Sequence, residues 1–275
     1  MLYPQNEKYV QMPIMNPDNQ FIEHAWLHAP GGLLLFAVRK PASENRSKLD
    51  NEFLNTPVTR LINGINRQFG PERYRYLRHK IHVDHELSSW DQNLIKVCAK
   101  RRAQHQNFEE HIRGALRHVD IGMDMEFDGS CQILPEYIGT TISKHVALQK
   151  IIEAADYLAK NQSPRKRHMH NRPITALLLD AMGNVLAASA NSNAQNQLHH
   201  AEVNMVLQHW QRTGELIPPG ATIVSSLKPC KMCASLILTA CQDANSLRVI
   251  AAADDPGRFG RHNLLKSQLE ISRSI

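Results

Sequence analysis

Residues 221–253, ATIVSSLKPCKMCASLILTACQDANSLRVIAAA, decide the fold class of this chain. The segment begins with an apolar run over 221–227, continues with a helix-like stretch over 230–241, and ends with a second apolar run over 247–253. Short apolar runs rich in β-branched residues are typical of buried strands, and a helix between two of them is typical of a sheet covered by helices. The stretch therefore predicts a strand, a helix and a strand of an α/β fold.

The same alternation extends toward the N-terminus of the segment. A hairpin turn is predicted at Asp180 to Asn184, where polar residues and Gly183 separate two apolar runs. The remaining predicted elements are helices over 143–160 and 199–214 and strands over 174–180 and 184–190. We therefore expect residues 136–275 to form a three-layer α/β/α sandwich. The tail 264–272 has room only for a shortened fifth strand, and the sequence does not reveal its direction.

Residues 1–135 differ in character and are expected to form an accessory α+β domain of unknown role. No recognisable chemical motif occurs in them. The predicted helices are Val58 to Phe69, Trp90 to Arg102 and Phe108 to Arg117, and the predicted strands are Leu33 to Val38 and Val119 to Phe127. The sequence thus predicts two domains with a boundary near residue 135.

Composition limits the class of protein. The chain has 275 residues, of which 42% are hydrophobic, which is enough to build true cores. The first thirty residues lack a signal-peptide pattern, the five cysteines are an odd number, and no apolar run approaches the 20 or so residues of a membrane span. We expect a cytoplasmic protein with reduced thiols and no membrane partner. The net charge of +6 is compatible with a polyanionic partner but does not require one.

Two short motifs carry the chemistry: His200-Ala201-Glu202, and Cys230 and Cys233 within Pro-Cys-Lys-Met-Cys. Each motif alone is weak, because a His-x-Glu pair is often a surface pair and a Cys-x-x-Cys pair can be a metal site, a redox pair or two buried thiols. Together, in this order and at this separation, they match the signature of zinc-dependent nucleobase deaminases.

The spacing of these residues suits a zinc ion. Cys230 and Cys233 stand at i and i+3, so both sulfurs face one side of the first turn of a helix. The positive end of that helix favours thiolates, and His200, at the start of the preceding helix, would complete the protein ligands. We select His200 rather than His199 from the motif. Water would take the fourth position, and Glu202 would act as general acid and base.

The C-terminal half, from about 140 to 255, resembles the cytidine deaminase-like superfamily. The segments 180-DAMGNVLAASAN-191, 226-SLKPCKMC-233 and 248-RVIAAADDP-256 resemble tRNA adenosine deaminases, and 200-HAEVN-204 also resembles deoxycytidylate deaminases. The resemblance implies zinc (Zn²⁺) as cofactor and hydrolysis of an exocyclic amino group of cytosine or adenine. It also implies that Asn191 and Ala201 bind the substrate. Lys228 departs from the Glu that is typical of tRNA adenosine deaminases, which leaves the choice of base open.

The loop after the last strand of the 221–253 segment is predicted to form the substrate rim. Phe259 can stack on a base, and Arg258 and Arg261 can bind phosphate. The expected partner is a nucleobase-containing substrate, in tRNA or another single-stranded nucleic acid, and a homodimer is a further expectation. Three alternatives remain: a deaminase of free nucleotides, nucleosides or bases; a catalytically silent zinc module that binds nucleic acid; and a thiol oxidoreductase.

Overall fold

The computed structural model describes residues 22–39, 53–99, 104–125, 132–161, 172–194, 196–261 and 264–272. Within these residues the chain forms two β-sheets, one in each half, with helices packed against both. The basic residues Arg165, Lys166 and Arg167 lie outside the described residues. No helix in the described ranges has the length and apolar character needed to span a bilayer.

The N-terminal sheet has five strands in the order β4-β3-β1-β2-β5. The strands are β1 (His24–Ala29), β2 (Leu33–Val38), β3 (His82–Val83), β4 (Gln104–His105) and β5 (Arg117–Asp120). The helices of this half are α1 (Pro57–Phe69), α2 (Arg73–Leu77), α3 (Ser89–Cys98) and α4 (Phe108–Gly114). This arrangement confirms the α+β class expected for the first half.

Helix α1 shows how the local sequence sets the element boundaries in this half. Its first turn is capped by Thr56, whose side chain accepts a hydrogen bond from the Thr59 amide, and Pro57 occupies a position where no amide donor is needed. The helix ends at Gly70, whose φ of 43° suits glycine. The predicted helix over Val58 to Phe69 is therefore confirmed to within one residue.

Three predicted elements end elsewhere. Helix α3 stops at Cys98 rather than Arg102, because Ala99 adopts an extended backbone. Helix α4 stops at Gly114 rather than Arg117, because Ala115 adopts an extended backbone and the chain then pairs with β2. The strand expected over Val119 to Phe127 is instead β5, which starts at Arg117 and ends at Asp120. The bounds of β5 are set by its pairing with β2, which is distant in sequence. The local pattern of apolar residues does not reveal that pairing.

The C-terminal sheet has six strands in the order β11-β10-β9-β7-β8-β6. The strands are β6 (Gln132–Ile133), β7 (Thr175–Leu179), β8 (Val185–Ala190), β9 (Thr222–Ser225), β10 (Arg248–Ala251) and β11 (Leu269–Ile271). Strand β7 is antiparallel to both β8 and β9, so β8 and β9 run in the same direction. The tail forms the shortened strand β11, which runs parallel to β10.

Helices cover both faces of this sheet. They are α5 (Lys144–Asn161), α6 (Ala201–Thr213) and α7 (Lys231–Thr239). Successive residues of β7 alternate between the faces: Leu177 and Leu179 share a buried cluster with α5, whereas Ala176 and Leu178 join the cluster that contains α6 and α7. The predicted three-layer α/β/α sandwich is confirmed.

The two halves share one hydrophobic cluster. Residues of β1, α1 and α3 belong to the same buried cluster as residues of α6 and α7. At the contact between α3 and α7, Asn93 donates a hydrogen bond to Ser235 at 2.6 Å, and the Cys98 and Met232 sulfur atoms lie 3.9 Å apart. The division into domains 1–135 and 136–275 remains a proposal, and any boundary there crosses a continuous core.

Candidate functional site

Two helix starts bring together the residues of the two motifs. His200 is the N-cap residue of α6, and Cys230 is the N-cap residue of α7, with Cys233 in the first turn of the same helix. Strands β8 and β9, which precede these helices, run in the same direction on either side of β7. Both helix N-termini therefore meet at one edge of the sheet, as the spacing of the motifs predicted.

The three side chains form a nearly equilateral triangle of potential ligand atoms. His200 Nδ1 lies 3.6 Å from Cys230 Sγ and 3.5 Å from Cys233 Sγ, and the two sulfur atoms are 3.5 Å apart. A tetrahedral zinc ion with Zn–S bonds of about 2.3 Å and a Zn–N bond of about 2.0 Å separates its ligands by about 3.5–3.8 Å. The triangle therefore fits such an ion with little movement. No other group of three potential ligands in the described ranges is this compact.

Protonation of the thiols also suits a metal site. The hydrogen bond from the Cys233 thiol, and then the nearby His200, hold the pKa of Cys230 well below its ordinary range, whereas burial raises the pKa of Cys233. Burial alone would lower the pKa of His200, but the Cys230 thiolate raises it. Cys230 thus favours the thiolate form. Cys233 and His200 would release their protons when a metal cation binds.

Glu202 lies in the first turn of α6 and is 3% exposed. Its Oε1 accepts a hydrogen bond of 3.0 Å from the Ser225 hydroxyl, at the end of β9. Burial raises the pKa of this carboxyl group, and the negative charge of Cys230 raises it further. A buried carboxyl group with a raised pKa is suited to act as both acid and base.

A cavity of about 500 Å³ opens above these residues. His200, Glu202 and Cys230 line it, together with Asn191. Asn191 is 2% exposed, and its amide nitrogen donates to the Arg172 carbonyl at 3.0 Å and to Asn193 Oδ1 at 3.2 Å. Its Oδ1 is buried and accepts no hydrogen bond within the described part of the chain. That oxygen is therefore available to a ligand in the cavity.

Two of the four remaining predicted substrate-binding residues line the cavity, and two do not. Arg258 and Phe259 line the cavity, and the guanidinium carbon of Arg258 lies 4.4 Å from the centre of the Phe259 ring. Arg261 does not line the cavity, and its Nε donates to the Pro256 carbonyl. Ala201 is fully buried, and its carbonyl accepts from the Ser189 hydroxyl, so it does not line the cavity either. Substrate binding by these four residues stays a prediction.

Further cavity residues were not identified from the sequence. The N-terminal half contributes Tyr74 and the end of α3, Val97 to Ala99, to the lining. Lys228, which pairs with Asp254 at 2.9 Å, lines it as well. No motif or spacing marks Tyr74 or the end of α3, because they reach the cavity only through tertiary packing.

One protein-family model matches the half of the chain that contains His200, Cys230 and Cys233. Residues 165–274 match the family model of Bd3614-like deaminases. This match lies in the C-terminal half and agrees with the resemblance of that half to cytidine deaminase-like proteins. No curated protein matches the chain significantly.

Several solved structures are similar to the C-terminal half. One comes from a study of A-to-I editing by tRNA:A34 deaminases and shows 25% identity over 42% of this chain and 80% of its own, with a TM-score of 0.32. Guanine deaminase from Bacillus subtilis shows 19% identity over 41% and 66%, with a TM-score of 0.34. The dCMP deaminase from cyanophage S-TIM5 shows 16% identity over 47% and 98%, with a TM-score of 0.32. At these TM-scores the structures do not define a substrate for this chain.

Proposed function

We propose that the deaminase domain within residues 165–274 is a zinc-dependent hydrolase that replaces the exocyclic amino group of cytosine or adenine in RNA or DNA. One observation carries the proposal: a triangle of two sulfurs and one imidazole nitrogen, with tetrahedral ligand spacing, shares a cavity with a buried carboxyl group. His200, Cys230 and Cys233 would hold the ion. When bound, zinc lowers the pKa of water toward about 7 and so supplies a nucleophile at neutral pH.

Glu202 would move the protons of the reaction. It takes a proton from the attacking water and delivers protons to the ring nitrogen beside the reacting carbon and then to the departing amino group. One water is consumed and one ammonia is released for each base. The Ser225 hydroxyl holds Oε1 by a hydrogen bond and so restricts the orientation of the carboxyl group. Asn191, with its unsatisfied Oδ1, would accept a hydrogen bond from the base or sugar.

A polynucleotide substrate is favoured by the charges around the opening. Arg172, Lys228 and Arg258 all line the cavity, where Arg172 lies 3.4 Å from Asp255 and Lys228 lies 2.9 Å from Asp254. A single nucleotide needs one or two cations, whereas a strand of phosphates benefits from several. A deaminase of free nucleotides is the second candidate, because the cavity by itself has room for a nucleotide.

The experiment is a substrate screen with the zinc-loaded full chain and its Glu202→Ala variant. Nucleosides, nucleotides, tRNA and single-stranded DNA are incubated with each protein and analysed for the gain of about one dalton that accompanies conversion of an amino group to a carbonyl. We expect the wild type to modify a polynucleotide and Glu202→Ala to retain zinc without turnover. A zinc-loaded wild type that modifies no substrate would favour the silent module. A protein that binds no zinc, and whose Cys230 and Cys233 thiols are reversibly oxidised to a disulfide, would favour the thiol oxidoreductase.

A further inference from the structure

The cavity above the metal triangle is built from both halves of the chain. Tyr74, in α2, and the end of α3 line the same space as His200 and Glu202. Tyr74 is partly buried, in contrast to the exposed Arg75 next to it. The N-terminal half therefore supplies one wall of the candidate active site, although its sequence carries no chemical motif.

A buried arginine fixes this wall to the loop that leads to His200. Arg73 is 2% exposed, and its guanidinium donates to the Ala194 carbonyl at 3.0 Å, to the Asn193 carbonyl at 3.4 Å and, within its own half, to the Gly70 carbonyl at 2.9 Å. Asn193 in turn accepts a hydrogen bond from Asn191. The start of α2 is thus tied to the same loop that positions Asn191.

The same guanidinium orients the Tyr74 ring. The Arg73 guanidinium carbon lies 4.8 Å from the centre of that ring, within the range of a cation–π contact, and Nη2 lies 3.4 Å from the phenol oxygen. An aromatic ring that is already held in place loses little conformational entropy when a ligand packs against it. Stacking of a ligand on Tyr74 would therefore cost less conformational entropy than stacking on a mobile surface tyrosine.

The rest of this wall is apolar. Val97, Cys98 and Ala99 end α3, and Cys98 and Ala99 are buried. Helix α3 is held in turn against α7, the helix that bears Cys233, by the Asn93 to Ser235 hydrogen bond. A flat aromatic ring beside an apolar surface, in the same cavity as His200 and Cys230, suits the face of a nucleobase rather than a charged or extended ligand.

We infer that Tyr74 is a substrate-recognition residue that stacks on the base to be deaminated, and that the N-terminal half is thereby part of the active site. This inference rests on the proposed function. Stacking of a base on an aromatic side chain changes affinity by roughly 5- to 150-fold when the ring is removed. The ring, rather than the hydroxyl group, carries this effect.

The test uses calorimetry with the zinc-loaded full chain and two short single-stranded RNA probes. One probe carries purine riboside and the other pyrimidin-2-one riboside, two nucleosides that lack an exocyclic amino group. Tyr74→Ala and Tyr74→Leu remove the ring, and the leucine retains most of the apolar volume. Tyr74→Phe keeps the ring. Tyr76→Ala is the matched control, because Tyr76 lies on the same helix, stacks on Phe69 at 3.9 Å between ring centres, and does not line the cavity.

We expect Tyr74→Leu and Tyr74→Ala to bind the preferred probe roughly 5- to 150-fold more weakly, with zinc content unchanged, while Tyr74→Phe and Tyr76→Ala stay within about twofold of the wild type. Wild-type affinity in Tyr74→Leu would overturn the inference and leave the proposed function standing. Equal losses in Tyr76→Ala and Tyr74→Leu would also overturn it, because a structural effect would then explain both. A zinc-loaded wild type that binds neither probe would reject the proposed function itself, and the role of Tyr74 with it.

Discussion

Substitution of Gly64 by alanine is expected to destabilise the protein, although Gly64 lies in the middle of α1, where alanine is normally the better residue. A Cβ atom built on Gly64 would lie 1.8 Å from the carbonyl oxygen of Ile121 and 2.8 Å from its carbonyl carbon. Ordinary contacts between such atoms exceed about 3 Å, so helix and neighbouring chain must separate by more than about 1 Å. Glycine at this position therefore allows α1 to approach the 121–123 segment closely.

The cost can be worked from the contacts that resist this separation. Ile121 donates to the Phe36 carbonyl at 2.9 Å, and Met123 donates to the Arg60 carbonyl at 3.2 Å, which fastens the segment to both β2 and α1. Overpacking costs about 1–3 kcal/mol, and the strained hydrogen bonds add about 1 kcal/mol each. The helix propensity of alanine returns about 1 kcal/mol. We expect Gly64→Ala to lower the free energy of unfolding by about 2–4 kcal/mol.

The assay is thermal unfolding monitored by circular dichroism, with Gly114→Ala as the matched control. Gly114 is the last residue of α4, and a Cβ built on it meets no atom within 4 Å. The loss in Gly64→Ala corresponds to a fall in Tm of roughly 5–15 °C, while Gly114→Ala should change stability by less than about 1 kcal/mol. If Gly64→Ala melted within 1 °C of the wild type, the close approach of α1 to Ile121 would be wrong.

Three further outcomes are expected. Metal analysis of Cys233→Ser should show loss of most of the zinc. The control variant Cys241→Ser, at a cysteine outside the triangle, should keep the wild-type amount. Equal zinc content in the two variants would contradict the ligand assignment. Neutralising Arg258 should flatten the salt dependence of single-stranded RNA binding by about 0.7 in the logarithmic slope if it contacts one phosphate, and an unchanged slope would remove it from the binding surface. Burial, followed by the charges of two neighbouring histidines, lowers the pKa of His82 to about 4. The unfolded imidazole binds its proton below about pH 6.5 and the folded one only near pH 4, so stability falls by up to about 3 kcal/mol as the pH drops through this window. His82→Gln should flatten this loss in urea unfolding measured at pH 7 and pH 4.5, whereas exposed His145→Gln should not; identical profiles would refute the assignment.

The meeting of His200, Cys230 and Cys233 was predictable from the sequence, because their spacing along the chain largely determines their positions on the two helices. Cys230 and Cys233 are three residues apart on one helix, and His200 begins the helix of the preceding unit, so regular secondary structure almost determines their meeting. The sandwich followed for the same reason, since its strands and helices alternate in a regular pattern. Glu202 lines the same cavity as His200 because it follows that residue by two positions, in the first turn of α6.

Contacts between distant parts of the chain were not predictable. Tyr74 reaches the cavity because Arg73 bonds to carbonyl groups about 120 residues away, and no local pattern encodes that bond. Ser225 ends an apolar strand, and only the structure places its hydroxyl against Glu202. Strand β5 was misplaced for a similar reason, because its pairing partner lies in the first hairpin.

The shared core also has a consequence for how the chain matures during synthesis. Cys98 and Met232, which meet where α3 packs on α7, are 134 residues apart in sequence. At about 5–20 residues per second, the ribosome needs on the order of ten seconds to make the intervening chain. Throughout that interval the apolar side of α3 has no α7 to cover it. The apolar surface of α3 that packs on α7 in the folded protein therefore stays open until α7 has been synthesised.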